Sequence, residues 1–409
     1  MDLREDALAL HRENWGKIAV VSKVKIRDGK DLSLAYSPGV AEPCKEIAGD
    51  PDMSYRYTSR GNMVAVVSDG TAVLGLGDIG PEAALPVMEG KAILFKNFAD
   101  IDAFPVCLAT KQVDEVIQAV QWLEPTFGGI NLEDISGPRC FEIEERLKAS
   151  MTIPVFHDDQ HGTAVVCVAG LWNALKAVKK DISEVKVIVN GAGAAGISIA
   201  KLLLACGVQA ANLGVCDRKG LLYPGIDPGN KHMESMAKLI NPQGRKGSLA
   251  DVLAGADAFI GVSAANTVTA EMVKSMASKA VIFAMANPAP EIMPEPALAA
   301  GAAVVGTGRS DYPNQVNNVL GFPGIFRGTL DVRASEINEA MKVAAMKAIA
   351  GMVAESELAT DYIIPKPFDR RVVPAVALAV AKAAMESGAA RVPKTEQELI
   401  TGLKKRGLL

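Results

Sequence analysis

The chain has 409 residues, 49% hydrophobic and 22% charged, the balance of a globular protein of two or three domains able to bury large cores. Lys plus Arg number 43 against 47 Asp plus Glu, a formal net charge of −4, which disfavours a nucleic-acid binder relying on a strongly basic surface. The six cysteines (44, 107, 140, 167, 206 and 216) form no C-x-x-C pair, no apolar run approaches the roughly 18 residues needed to span a bilayer, and MDLREDALALHRENWGK has no signal-peptide core. These features disfavour a disulfide scaffold, membrane insertion and secretion. The expectation is a cytoplasmic α/β protein with buried free thiols.

In the first half, Met63 to Val67, Ala103 to Leu108, Gly129 to Leu132 and Ile153 to Phe156 read as short strands. Polar or acidic residues follow three of them: Ser68-Asp69, Glu133-Asp134 and Asp158-Asp159. Ligands of open α/β sheets gather at the carboxyl ends of strands, so these acids are the first place to look for chemistry. Thr163 caps a helix to about Val178, with Val165, Val168, Trp172 and Leu175 on one face. The domain boundary is expected near residue 160, giving units 1–160 and 161–409.

The second half alternates more regularly. Strands are expected at Val185 to Val189, Leu213 to Cys216, Ala258 to Val262, Ala280 to Met285 and Ala302 to Val305. Helices are expected at Ile197 to Ala205 and Ala270 to Ala277, then Ser335 to Glu355 and Ala375 to Glu386, with a helix-like end from Val392. This is the pattern of parallel βαβ units with both sheet faces covered.

Gly191-Ala-Gly-Ala-Ala-Gly196 follows the Val185 strand and opens a helix, the context that gives a G-x-G-x-x-G motif its meaning. Gly191 permits the tight turn, Gly193 close approach of a pyrophosphate, and Gly196 close packing of helix on strand. Ala192, Ala194 and Ala195 complete the loop, and the helix N-terminus offers unpaired N–H groups to phosphates. Asp217 lies 26 residues after Gly191 and ends the next strand, where a carboxylate can grip the adenine ribose hydroxyls. Asp217 favours NAD; Arg218 and Lys219 beside it can bind the 2′-phosphate of NADP. The sequence leaves the choice open.

His157-Asp-Asp-Gln-His161 has histidines at zincin spacing, but it lies between a strand and the next helix and lacks the glutamate base, so zinc peptidase chemistry is set aside. The carboxylates are more persuasive. Glu133-Asp134 and Asp158-Asp159 converge if their strands are neighbours, and hard ions such as Mg²⁺ or Mn²⁺ take oxygen ligands. Neighbours on a strand point to opposite faces, so Glu133 and Asp134 share an ion only where the strand gives way to a loop. Taken alone, these acids fit structural capping as well as metal binding.

Ala35-Tyr-Ser-Pro-Gly-Val-Ala41, Leu74-Gly-Leu-Gly-Asp-Ile-Gly80, Asn131-Leu-Glu-Asp134, Phe156-His-Asp-Asp-Gln-His-Gly-Thr163 and Gly191 to Gly196 occur in this order. Together they resemble the malic enzyme family in its shorter, bacterial-type form, over residues 30 to 380. The resemblance implies an N-terminal α/β domain of the malic type, a Rossmann-like doubly wound dinucleotide-binding domain and C-terminal helices. It implies oxidative decarboxylation of L-malate to pyruvate and CO₂, with NAD or NADP, Mg²⁺ or Mn²⁺, and a homodimer. By similarity the metal ligands are Glu133, Asp134 and Asp159. Lys91 is the general base, kept partly neutral near a cation, Tyr36 the acid, and Asp158 a carboxylate assisting the lysine. Asn287 and Asn318 contact substrate and nicotinamide. One departure stands out: where longer malic enzymes carry a substrate-clamping arginine, this sequence has Ala72. Two other functions remain open, a non-catalytic NAD(P)-binding sensor and a metal-assisted dehydrogenase of a related β-hydroxy acid.

Overall fold

Short runs rich in valine and isoleucine become ten strands in two sheets among the residues described by the computed structural model, 3–73, 75–227 and 229–409. Leu74, the first residue of the Leu74 to Gly80 motif, lies outside them. The first sheet holds β1 (Met63–Ser68), β2 (Asp102–Cys107), β3 (Gly129–Leu132) and β4 (Val155–His157) in the order β2-β1-β3-β4. All its pairings are parallel, with Val67 opposite Leu132 and Leu132 opposite His157. That register sets Glu133 and Asp158, the next residue on each chain, side by side at the carboxyl edge.

The second sheet holds β5 (Val187–Asn190), β6 (Leu213–Asp217), β7 (Gly220–Leu221), β8 (Ala258–Gly261), β9 (Val281–Ala284) and β10 (Val304–Thr307) in the order β10-β9-β8-β5-β6-β7. Only the two-residue β7 is antiparallel. From β5 the chain first builds outward through β6, then crosses to lay β8 on the other side. The strand order reverses there, and the crevice between the carboxyl ends of β5 and β8 is the dinucleotide position of a doubly wound sheet. Strands β5, β8, β9 and β10 are buried throughout, which is why they read as continuous apolar runs rather than alternating ones.

The helix Thr163–Val178 forms over the expected span and leads from the first sheet into the second, but Thr163 is its first residue rather than its cap: Gly162 precedes it without a side-chain cap, and Thr163 Oγ1 bonds Asn318 instead. The expected Ser335 to Glu355 helix is shorter, Glu339–Ala350, because Asn338 caps it by accepting from the Met341 N–H. The sequence reading assigned no helix to Pro81–Ala99, where Pro86 and Gly90 look like breaks. It forms around a buried stripe of Ala84, Met88, Ala92, Phe95 and Ala99, all at helical spacing.

The helix Phe322–Asp331 packs against elements of the first sheet's half. Phe322 and Phe326 meet Phe95 edge-on at 4.7 and 5.2 Å, and Phe326 meets Phe156 at 5.7 Å. Cys140, Cys167 and Cys216 are buried and Cys107 and Cys206 half-buried, but Cys44 is exposed, contrary to expectation, because the helix Ala41–Gly49 that carries it buries no residue. No helix among the described residues is long and apolar enough to cross a membrane.

Candidate active site

Two strand ends and one helix build an acidic cluster. Glu133 and Asp134 follow β3, and Asp158 and Asp159 open the wide turn Asp158–Gly162 that joins β4 to the next helix. Asp134 takes φ +54°, so extended backbone ends there and the pointing of neighbours to opposite faces no longer applies. Each of Glu133, Asp134 and Asp159 offers an oxygen, and these lie within 4.8 Å of one another. Asp159 Oδ2 accepts from the Asp134 N–H at 2.8 Å, and Asn131 Nδ2 steadies Glu133 Oε2 at 2.8 Å. The close approach of the turn to itself demands glycine at 162, since a Cβ there would sit 1.8 Å from Asp158 Oδ1.

Lys91 enters from the helix Pro81–Ala99. Its Nζ lies 2.6 Å from Asp158 Oδ2 and 2.9 Å from Glu133 Oε1, and 4.1 Å from the centre of the Phe322 ring. Asn318 Nδ2 donates to the same Asp158 oxygen at 3.1 Å and to Thr163 Oγ1 at 3.0 Å. Four of the expected residues, Lys91, Glu133, Asp158 and Asn318, therefore form one bonded group, with Asp134 and Asp159 beside it.

The electrostatics are those of too many acids for the cations present. Burial pushes Asp134 up to about 8, with the Asp159 charge adding to it. Burial likewise raises Glu133 well above the usual carboxylate range against the pull of Lys91, and it raises Asp158. Burial alone would lower Lys91, but Asp158 and Glu133 outweigh it and hold the ammonium above its ordinary value. The protein groups by themselves thus do the opposite of keeping the lysine partly neutral. Asp134 Oδ2 and Asp158 Oδ1 are buried with no hydrogen-bond partner. Crowded carboxylates, orphaned oxygens and an all-oxygen donor set fit a divalent cation.

Of the two histidines of the false zinc motif, His157 keeps its buried ring 3.7 Å from Asp159 Oδ2, while His161 bonds outside the acidic cluster. His161 Nε2 pairs with buried Glu144 at 2.9 Å, and Glu144 also accepts from the His157 N–H at 3.2 Å. Burial lowers His161 to about 4, against the opposing pull of Glu144. Near Ala72 the guanidinium of Arg139 is committed to Asp69 and Thr71 at 2.8 and 2.9 Å. Sequence reasoning missed Glu144, Arg139 and Phe322; none stands in a motif, and only Phe322 follows visible signals, the Asn317-Asn pair and Gly321.

The Gly191 loop closes the second crevice. Gly191 takes φ +121°, and a Cβ there would lie 2.5 Å from Val262 O. A Cβ on Gly196 would lie 1.7 Å from Gly191 O, whereas Gly193 faces open space. No side chain caps the helix Ala194–Ala205, so its first N–H groups stay available. Asp217 ends β6 and accepts from the Lys219 N–H at 2.7 Å, while Lys219 Nζ turns to Ile226 O at 3.4 Å and Arg218 is exposed. Asn287 is exposed on the loop after β9, where Pro288 packs near Gly75 of the first half. Tyr36 stands apart. It ends the helix Gly29–Ala35, 68% exposed, and no described bond joins it to the cluster.

Residues 15–148 match the malic enzyme N-terminal domain family, and residues 160–385 match the malic enzyme NAD-binding domain family. The chain belongs to the malic enzyme family. It is 63% identical over 406 residues to the bifunctional malic/malolactic enzyme of Bacillus subtilis, covering 99% of this chain and 98% of that one. It is 52% identical to the NADP-dependent malic enzyme of Escherichia coli, spanning 96% of this chain but only 53% of that longer protein. Among solved structures, the malic enzyme of Pyrococcus horikoshii superposes with a TM-score of 0.95 at 47% identity, covering 99% of this chain and 95% of that one. The NAD-dependent malic enzyme of Thermotoga maritima superposes at 0.88 with 53% identity, covering 92% and 99%.

Proposed function

We propose that the acidic cluster binds a divalent metal and, with Lys91, carries the oxidative decarboxylation of L-malate to pyruvate and CO₂ with reduction of NAD or NADP. The observation that carries this reading is the bonded group Lys91–Asp158–Glu133 beside three carboxylate oxygens within 4.8 Å. Glu133, Asp134 and Asp159 hold the ion. Mg²⁺ or Mn²⁺ held there would supply a Lewis acid for the malate C2 oxygen and would offset the acids that hold Lys91 protonated. Gly191 to Gly196 and Asn287 would hold NAD or NADP, whose nicotinamide would supply the hydride acceptor.

The chain's own groups move the protons. Lys91, as the neutral amine, accepts the proton of the C2 hydroxyl, and Asp158, fixed by Asn318, keeps its Nζ aimed at that oxygen. Gly191 to Gly196 cradle the pyrophosphate, and Asp217 takes the adenine ribose hydroxyls with Arg218 at the rim. Tyr36 returns a proton to C3 to complete pyruvate. Its exposure supports a homodimer, since Trp15, Val20, Val21, Val24 and Leu34 of the same N-terminal region are exposed as well. Light scattering is expected to return twice the 42.9 kDa chain mass; a monomer at working concentration would sink the dimer.

The function is tested by absorbance at 340 nm with L-malate and Mn²⁺, run in parallel with NAD and NADP, followed by pyruvate assay. Reduced cofactor matched by pyruvate, abolished by chelator, is the expected result. Reduced cofactor with oxaloacetate and no pyruvate would leave a dehydrogenase without the decarboxylation step. Cofactor binding without turnover would instead favour another hydroxy acid, which Ala72 leaves room for, or a sensor.

A further inference from the structure

Outside the acidic cluster, one buried acid has no cation at all. Glu291 is 0% exposed, and among the described residues its carboxylate bonds only to Ser263 and Ala286 and forms no ion pair. Burying a carboxyl group without a partner is expensive, so what holds it identifies what it is for. Its Oε1 accepts from the Ser263 N–H at 2.8 Å and from Ser263 Oγ at 3.2 Å; its Oε2 accepts from the Ala286 N–H at 3.0 Å. Ser263 is the second residue after β8, and Ala286 the second after β9. One side chain thus clamps the carboxyl ends of two neighbouring strands.

The clamp is built at backbone level too. A Cβ on Gly261, the last residue of β8, would lie 2.4 Å from the Glu291 carboxyl carbon, so only glycine there lets the group reach both loops. The Glu291 carbonyl accepts from the Val268 N–H, and the Pro290 carbonyl from the Asn266 N–H, both at 3.1 Å. Ser263 Oγ also accepts from Asn190 Nδ2 at 2.8 Å, and Asn190 directly precedes Gly191. A single bonded path therefore runs from the glycine loop through Ser263 and Glu291 to Ala286, the residue before Asn287.

We infer that Glu291 is a positioning residue for the nicotinamide end of the cofactor site, pinning the loops after β8 and β9 so that Asn287 is presented to the reacting ring. The inference rests on the role proposed for Asn287. The Ser263 and Ala286 N–H groups point inward at Glu291, leaving the outer faces of both loops to the cofactor. Loss of the clamp frees the Asn287 loop and leaves the pyrophosphate cradle, which Gly191 and Gly196 define by their own close contacts, in place.

Glu291→Gln separates this role from general bracing. The amide has one accepting end, and its NH₂ must face an N–H donor at the other, so one loop is released at nearly constant volume. kcat/KM for NAD is expected to fall roughly tenfold or more, the loss of one or two charge-assisted hydrogen bonds. Affinity for ADP-ribose, which lacks the nicotinamide, is expected to stay within about twofold by calorimetry. Equal weakening of NAD and ADP-ribose, or no change in either, would overturn the inference. Should the Gln variant not fold, Ser263→Ala removes the hydroxyl's bonds to Glu291 and to Asn190 while keeping the Ser263 N–H bond to Glu291, and a smaller loss with the same selectivity is expected; an unselective loss counts against the clamp. A wild-type protein that fails to oxidise malate would sink the proposed function instead, and calorimetry with NAD and ADP-ribose would still read Glu291.

Discussion

Lys91→Met is expected to lower kcat for malate oxidation by roughly 10²- to 10⁴-fold, the usual worth of a positioned general base. Lys91 is the cation bonded to both Asp158 and Glu133, so the same change leaves two buried carboxylates facing each other. In chelator the variant should therefore melt lower, by the roughly 3–5 kcal/mol that accompanies removal of one partner from a buried ion pair. Lys91→Arg distinguishes the two consequences. A guanidinium restores positive charge but does not give up its proton at accessible pH, so it is expected to recover part of the melting temperature and little of the rate. Stopped assays below the melting temperature, with thermal melts of all three proteins, make the comparison. An Arg variant as active as wild type would remove Lys91 from the role of base.

The lysine also shows where the sequence stops being readable. The strands, the glycine loop and the acidic strand ends are local patterns, and they appear in the structure within a few residues of their expected places. Lys91 carries no such pattern. Its helix contains Pro86 and Gly90, and its environment is assembled from Asp158, 67 residues away, and Phe322, more distant still. Resemblance supplied the residue and Asp158 as its assisting carboxylate; the fold adds Glu133 and the fact that both acids raise its proton affinity. Asp134 is similar: a positive φ decides that Glu133 and Asp134 share a space, and an Asp followed by Ile-Ser-Gly-Pro signals a break without fixing that angle. Glu291 lies in an Ala-Pro-rich loop with no recognisable spacing, and Gly261 at the end of an apolar run is the one hint that something must approach there. Tyr36 is legible as a motif, yet it is exposed, and the fold of one copy brings it to no member of the acidic cluster.

Asp134→Asn is expected to separate stability from function. Asparagine keeps the size and tolerates the positive φ that Asp134 adopts, so the backbone has no reason to change. What it removes is one titratable acid from a group of four, three of them buried and Asp159 partly exposed. Asp134 is pushed up to about 8, from an ordinary value of 3.8, first by burial and then by Asp159. The sign follows from that direction. The folded protein holds a proton that the unfolded chain has released, so stability in chelator falls as pH rises from about 4 to about 8. The variant has no such proton to lose. It should therefore melt higher than wild type in chelator, with a margin that widens between pH 5 and pH 8 and corresponds to about 1–3 kcal/mol near neutrality. Mn²⁺ should reverse the order, because it stabilises by mass action whichever protein binds it more tightly. Malate oxidation by the variant should fall roughly 10²-fold or more with the loss of a ligand and the metal affinity it provides. A variant that melts lower than wild type in chelator would show that Asp134 is a structural acid, held by the fold for its own sake. A variant that keeps wild-type activity and Mn²⁺ response would take Asp134 out of the metal site.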